Sequence, residues 1–214
     1  MSSNAEIELL KLIEELEQSK SKNQLTELYN ETYENGLIGG PYKWQVEFHN
    51  MSRTHRERAI IAGNRVGKTR SAAAEVAMHL TGIYPTWWKG RQFTTGTDWI
   101  VAAPTNELCR DILQHALVGP MKEGEKAPSG TGWIPAELIT DYSWRQCGVS
   151  NVMDSLRVRH TSGKTSLCSF KSYEQGPVKF QGVARDGIWL DEEPTDYEIY
   201  TESLTRTLDT NGLV

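Results

Sequence analysis

The octapeptide AGNRVGKT, Ala62–Thr69, constrains this chain more than any other feature of its sequence. A short β-branched run, Arg58–Ala62 (RAIIA), leads into it and reads as a strand. After it, TRSAAAEVAMHLTG places Ala72, Ala73, Val76, Ala77 and Leu80 on one helical face, with Gly82 as a stop. Strand, glycine-rich turn and helix are the context a phosphate-binding loop requires. Successive backbone N–H groups of such a turn form a concave anion nest, and the helix N-terminus adds its positive dipole end. Gly63, Asn64, Arg65, Val66, Gly67, Lys68 and Thr69 are therefore the candidate phosphate contacts. Lys68 offers a mobile charge to the β- and γ-phosphates, and the Thr69 hydroxyl a ligand for Mg²⁺. The pattern departs from GxxxxGK[ST] at one place, where Ala62 stands for the first glycine with Gly63 beside it. A control lies in the same chain. Gly163–Thr165 repeats the GKT tripeptide, but Val158 replaces the first glycine and alternating strands flank it, so it reads as a hairpin turn.

A second signal is GIWLDEEP, Gly187–Pro194, an apolar strand that ends in acids. Asp191 is placed to hold the Mg²⁺ shell, and the next acid to orient and polarise an attacking water. Side-chain alternation could instead pair Asp191 with Glu193; Glu192 is favoured as the catalytic acid. A third element, PYKWQVEFHN, precedes the first strand. The amide of Gln45 can donate to and accept from the adenine N6/N7 edge, with Tyr42, Trp44 or Phe48 to stack on the ring. Aromatic packing beneath the N-terminal segment explains the same residues equally well.

The remaining organisation follows from length and pattern. The chain has 214 residues, of which 38% are hydrophobic and 24% charged, which suits one ordinary domain with a short appendage. No run approaches the roughly 18 apolar residues of a membrane-spanning helix, and the acidic N-terminus is unlike a secretory signal. Three widely spaced cysteines, Cys109, Cys147 and Cys168, argue against a disulfide framework or zinc site and for a reducing setting. The five histidines show no metal-ligand spacing. From Asn4 to Asn35 eight glutamates face three lysines, so that segment holds the whole net charge of −5 and the rest is neutral. Residues 4–19 and 25–34 read as helices of an acidic arm, halted by Gly39, Gly40 and Pro41. The expected division is an arm over 1–40 and a nucleotide domain over 41–214. Within the latter, Trp99–Ala103 and Gly187–Leu190 read as strands, Leu156–His160 and Ser166–Tyr173 as a hairpin, and Glu107–Leu117 and Tyr197–Leu208 as helices. Such alternation predicts a mostly parallel sheet between helices.

Together these residues resemble the ATPase domain of the large terminase subunit, the DNA-packaging motor of tailed double-stranded DNA bacteriophages, of the headful-packaging Salmonella podovirus type. The resemblance runs from about Pro41 to Thr207, through WQVEF, AGNRVGKT, AAEVAMHLTGIYP, KFQG, WLDEEP and Glu198–Thr207. It implies an α/β P-loop NTPase of the ASCE (RecA-like) class, a three-layer sandwich with a mostly parallel sheet behind the acidic helical arm. ATP and Mg²⁺ are the implied cofactors. Lys68, Glu192 and Arg65 are the implied catalytic groups, Gln45 and Gly63–Thr69 the nucleotide contacts, and Thr69 and Asp191 the metal ligands. Arg65 occupies the kind of position from which some members' loop arginine is proposed to touch the γ-phosphate. The implied setting is the cytoplasm of an infected bacterium, transiently at the procapsid portal. The implied partners are double-stranded DNA, a portal protein, a small terminase subunit and further copies in a ring, with a monomer in isolation and no membrane. Family members continue into a coupling motif and an RNase H-like nuclease domain. This chain stops at TNGLV, the opening of a next strand, so an N-terminal part without the nuclease is expected. Arg110, Arg145, Arg157, Arg159, Lys179 and Arg206 are candidate contacts to DNA or a neighbour, with solvated surface charge the plainer reading. Two rival readings are a helicase-like remodelling ATPase and a nucleotide-binding assembly module without turnover.

Overall fold

The computed structural model describes residues 24–30, 40–121 and 127–214. The helix expected over 4–19 and most of the acidic arm lie outside the described residues. Five strands form one sheet: β1 (Asp98–Ala103), β2 (Ile139–Trp144), β3 (Met153–Arg159), β4 (Thr165–Ser172) and β5 (Gly187–Leu190), in the order β2-β3-β4-β1-β5. The helices are α1 (Lys43–Met51), α2 (Lys68–Thr81), α3 and α4 (Tyr197–Arg206). Here α3 comprises the consecutive segments Asn106–Leu108, Cys109–Gln114 and His115–Val118, the middle one π-wound.

Strand β1 sets the layering. Its sequence is apolar at successive positions and buried on both faces, as a central parallel strand must be. Trp99, Val101 and Ala103 enter one core, with Ala73, Val76, Ala77 and Leu80 of α2 and Leu113 and Leu117 of α3. Ile100 and Ala102 enter the other, with Ile188 of β5, Phe180 and Ile199 of α4. Helices thus cover both sheet faces, and the expected three-layer α/β sandwich is what forms. Close packing at the start of β5 requires glycine: a Cβ on Gly187 would lie 2.3 Å from the Trp99 indole.

The sheet is mixed where a mostly parallel one was expected. β1 pairs in parallel with β4 and β5, while β3 pairs antiparallel with both β2 and β4. The turn between β3 and β4 decides this. His160 N–H donates to Lys164 O at 2.9 Å and Gly163 takes the left-handed φ of 81°, so the second GKT is the hairpin turn it was read to be.

The expected strand Arg58–Ala62 has no ladder. Its main chain meets the sheet region through Val214: Arg58 N–H donates to Val214 O (3.0 Å) and Val214 N–H to Arg56 O (2.8 Å). Leu213 in turn makes a parallel bridge to Gly187 at the head of β5. Leu213 and Val214 therefore lie between the loop-bearing segment and β5. A β-branched sequence favours extended backbone, but a strand exists only where a neighbour completes its hydrogen bonds.

From the arm, Gln24–Leu28 forms a single π-wound turn. Leu25 and Tyr29 are buried in the same core as α2, and the Tyr29 ring lies edge-on to Trp133 at 4.8 Å.

Candidate nucleotide site

The phosphate loop is shaped by two left-handed residues, Arg65 (φ 63°) and Gly67 (φ 90°), after which Lys68 opens α2. Glycine takes that conformation without cost, whereas arginine is held there by the turn around it. Lys68 folds back over the loop, its Nζ donating to Ala62 O (2.7 Å) and Gly63 O (3.0 Å). Asn64, Arg65 and Val66 are exposed at the crest.

β5 delivers the acids to this loop. Asp191 N–H donates to Ala102 O at 2.8 Å, which extends the β1–β5 pairing one residue past the strand. Its carboxylate then accepts from Thr69 Oγ1 at 3.5 Å, although 122 positions separate the two. Burial and the neighbouring Glu192 charge push the Asp191 carboxyl up to about 6, against the pull of Thr69, Trp189 and Lys68. Glu192 has a left-handed φ of 63° and is exposed, as is Glu193. Lys68, Thr69, Asp191, Glu192 and Glu193 line one cavity of about 760 Å³.

Of the predicted nucleotide contacts only Lys68 and Thr69 line that cavity; Gly63, Asn64, Arg65, Val66 and Gly67 do not, and neither does Gln45, which is 2% exposed. Its Oε1 accepts from Tyr42 N–H (2.8 Å) and its Nε2 donates to Gly67 O (3.1 Å), so the amide ties α1 to the phosphate loop. Phe48, one turn along α1, does line the cavity, and the Arg58 guanidinium lies 4.7 Å over its ring.

The matches with known proteins bear on this geometry. Residues 59–212, well over half of the chain, match the family described as "Terminase large subunit, T4likevirus-type, N-terminal". The chain belongs to the terminase large-subunit family. It is 36% identical over 225 residues to the large terminase subunit of Salmonella phage P22, an alignment covering 97% of this chain and 42% of that protein. This terminase chain thus spans about two fifths of its relative's length. In shape it is similar to the large terminase ATPase domain of Thermus phage P74-26, with a TM-score of 0.56 at 20% identity, covering 87% of this chain and 68% of that one. A mutant of the same domain gives a TM-score of 0.57 at the same identity and coverage. The fold is accordingly that of a terminase ATPase domain.

Several residues around this cavity had no readable signal in the sequence. Tyr197 and Tyr200, in the first turn of α4, line the cavity with rings 5.5 Å apart, and Tyr200 Oη donates to Glu57. Tyrosines in a helix's first turn are too common to single out. Beneath the loop, Glu75 of α2 is a buried hub that binds Arg58, accepts from His49 Nδ1 at 2.6 Å and lies 3.5 Å from His79 Nε2. Burial alone would raise its carboxyl; Arg58, His49 and His79 overcome this and hold it well below the usual range. Tyr29 Oη lies 3.0 Å from His49 Nε2, so through His49 and Glu75 residues of the arm reach the helix that carries Lys68. Histidines without ligand spacing here serve a buried polar network. Among the candidate DNA-facing bases, Arg145 is spent on Asp154, Asn106 and the Phe170 carbonyl, and Arg206 on Glu202 and Gly182 O. Those two hold structure.

Proposed function

We propose that this chain binds ATP with Mg²⁺ and hydrolyses it, as the ATPase part of a motor that drives double-stranded viral DNA into a preformed capsid. The observation that carries the reading is the approach of Thr69 Oγ1 to Asp191 Oδ1 at 3.5 Å beside Lys68. A hydroxyl and a carboxylate are the oxygen donors Mg²⁺ prefers, and Mg²⁺ takes few protein ligands, leaving the rest of its shell to water and phosphate. Bound there, it would neutralise charge on the β- and γ-phosphates. Lys68 exchanges its two loop carbonyls for phosphate oxygens. Glu192, the acid whose charge is felt at Asp191, orients the attacking water and takes its proton; Glu193 lies on the cavity wall behind it. Arg65, exposed at the loop crest, is the side chain this reading assigns to the γ-phosphate. Gln45 holds the loop through Gly67 O and would read adenine only if the base reaches past the cavity wall, while Phe48 supplies an apolar surface for the base.

DNA, a portal protein, a small terminase subunit and a ring of copies on the capsid complete the proposal, in the cytoplasm of an infected bacterium. Among the described residues no helix is long and apolar enough to cross a membrane.

The test is phosphate release from MgATP. Glu192→Gln should lower it about 100- to 1000-fold with nucleotide binding kept, and Lys68→Ala should lower both, the loss expected for a preorganised charge. Wild-type release no faster than that of Glu192→Gln overturns hydrolysis. A second reading, a nucleotide-binding module without turnover, is favoured by the missing ladder at Arg58–Ala62. It predicts bound ATP and release at the level of a buffer blank.

A further inference from the structure

We propose that Tyr173 is a positioning residue for the acidic corner, its hydroxyl clamping the backbone on both sides of Glu192. Tyr173 is the first residue past β4. Because β4 and β5 flank β1, its ring reaches across the end of β1, and Oη lies 2.8 Å from Asp191 O and 3.0 Å from Glu192 O. A weaker approach to Ala102 O, at 3.4 Å, marks the strand it crosses. Asp191 O belongs to the peptide before the Glu192 Cα and Glu192 O to the peptide after it. One hydroxyl shared between those carbonyls fixes both planes, and so both dihedrals, of a single residue.

That residue needs fixing. Glu192 has a left-handed φ of 63°, a conformation that costs a side-chain-bearing residue on the order of 1 kcal/mol and persists only where the surroundings impose it. The next contact on the strand side, Asp191 N–H to Ala102 O, ends before the turn. The clamp itself is anchored. Tyr173 is 5% exposed and packs with Ile100, Ala102, Phe180, Ile188 and Ile199 in the second core. A phenylalanine would keep the packing and lose only the donor.

The proposal rests on the ATPase reading for its consequence, since Tyr173 acts on hydrolysis through Glu192. Tyr173→Phe in the full chain should lower kcat for MgATP about 10- to 100-fold, the effect of a misplaced reacting group, while KM and the affinity for a non-hydrolysable ATP analogue stay within about twofold. Melting should stay within a few degrees. Amide hydrogen exchange gives a readout independent of turnover: exchange should quicken over 187–196 and stay unchanged in α2 and β1. Unchanged exchange over 187–196 overturns the clamp whether or not the chain is an ATPase. Quickened exchange with unchanged kcat overturns its role in hydrolysis. Quickened exchange in Tyr173→Phe, together with a wild type that turns over no faster than Glu192→Gln, upholds the clamp and overturns the ATPase reading instead.

Discussion

At one end of the sheet, β2, β3 and β4 are strands of six to eight residues in antiparallel ladders, with β2 as the edge and β3 and β4 each paired on both sides, and Leu156, Val158, Cys168 and Phe170 are buried beneath them. At the other end, β5 has a full neighbour on one side only, and the segment bearing the phosphate loop meets it through Leu213 and Val214. The lysine, threonine and acids all sit at this second, sparsely paired end. The contrast separates two demands on one domain. A scaffold is stable when its polar backbone is satisfied and its apolar faces are covered, whereas a site must leave room and unspent donors for a substrate. The sparse end is nonetheless held in place, from behind rather than from the sides: Glu75 and Gln45 tie Arg58, α1 and the loop to α2.

If α2 rather than the sheet holds the sparse end, Glu75 should be the costliest residue there. Glu75→Ala leaves the Arg58 guanidinium, 5% exposed, without its carboxylate, and should cost about 3–5 kcal/mol in denaturant unfolding. A loss under about 1 kcal/mol would place the support elsewhere. The same hub predicts the pH response. His79 is held neutral, its pKa lowered from 6.5 by burial, so the unfolded chain takes up that proton first as pH falls below 6.5. Glu75 is held well below 4.5, so its contribution is complete above that value and drains away as pH falls through it. Both stabilising contributions are full at neutral pH and lost toward acid. Melting temperatures from pH 8 to pH 4 should fall from about pH 6.5 and more steeply below 4.5, and Glu75→Gln should flatten the lower limb.

A smaller and more local contrast lies in two glycines. Gly187→Ala, at the sparse end, drives a Cβ into the buried Trp99 ring and should cost about 1–3 kcal/mol by overpacking, with turnover reduced because β5 carries the acids. Gly163→Ala, in the β3–β4 turn, meets nothing within 4 Å and should cost about 1 kcal/mol from its φ of 81° alone, with turnover unchanged. Chemical denaturation and phosphate release on both variants check this. Equal effects on turnover would erase the difference between the two ends.

What the sequence disclosed follows the same division. The loop was legible because its chemistry is local, a glycine-rich turn followed at once by a helix. β1, β5 and the β3–β4 hairpin were legible because a buried or alternating apolar run states its own burial. The convergence of Thr69 with Asp191, 122 positions away, was inferable only because each half carries a recognisable chemical pattern. Arg58–Ala62 misled because β-branching reports extended backbone while pairing depends on a remote partner, here Val214. Strand β2 escaped because nothing in Ile139–Trp144 reveals which neighbour it will take. Gln45 was singled out as a base reader, and the structure shows it bonded to Gly67 O; an amide suits either use. Tyr173 and Glu75 gave no signal, since a phenol reaching across a strand and a carboxylate facing into a core depend on tertiary placement alone.

The smallest expected effect is the most discriminating about the sparse end. Ile61 stands in the middle of an apolar run and is 96% exposed, an extreme for an isoleucine. A residue in a packed strand of that composition would lose about 1.5–3 kcal/mol of burial on replacement by a polar side chain. With almost no surface removed from water, Ile61→Ser should change unfolding free energy by less than about 0.5 kcal/mol, the range of surface substitutions free of special contacts. Val158→Ser, at a β3 position with 0% exposure, supplies the opposite pole and should cost several times more, since it also buries a hydroxyl. Should Ile61→Ser cost more than about 1 kcal/mol, the segment leading into the loop is covered in solution, and the sparse end is as closed as the other.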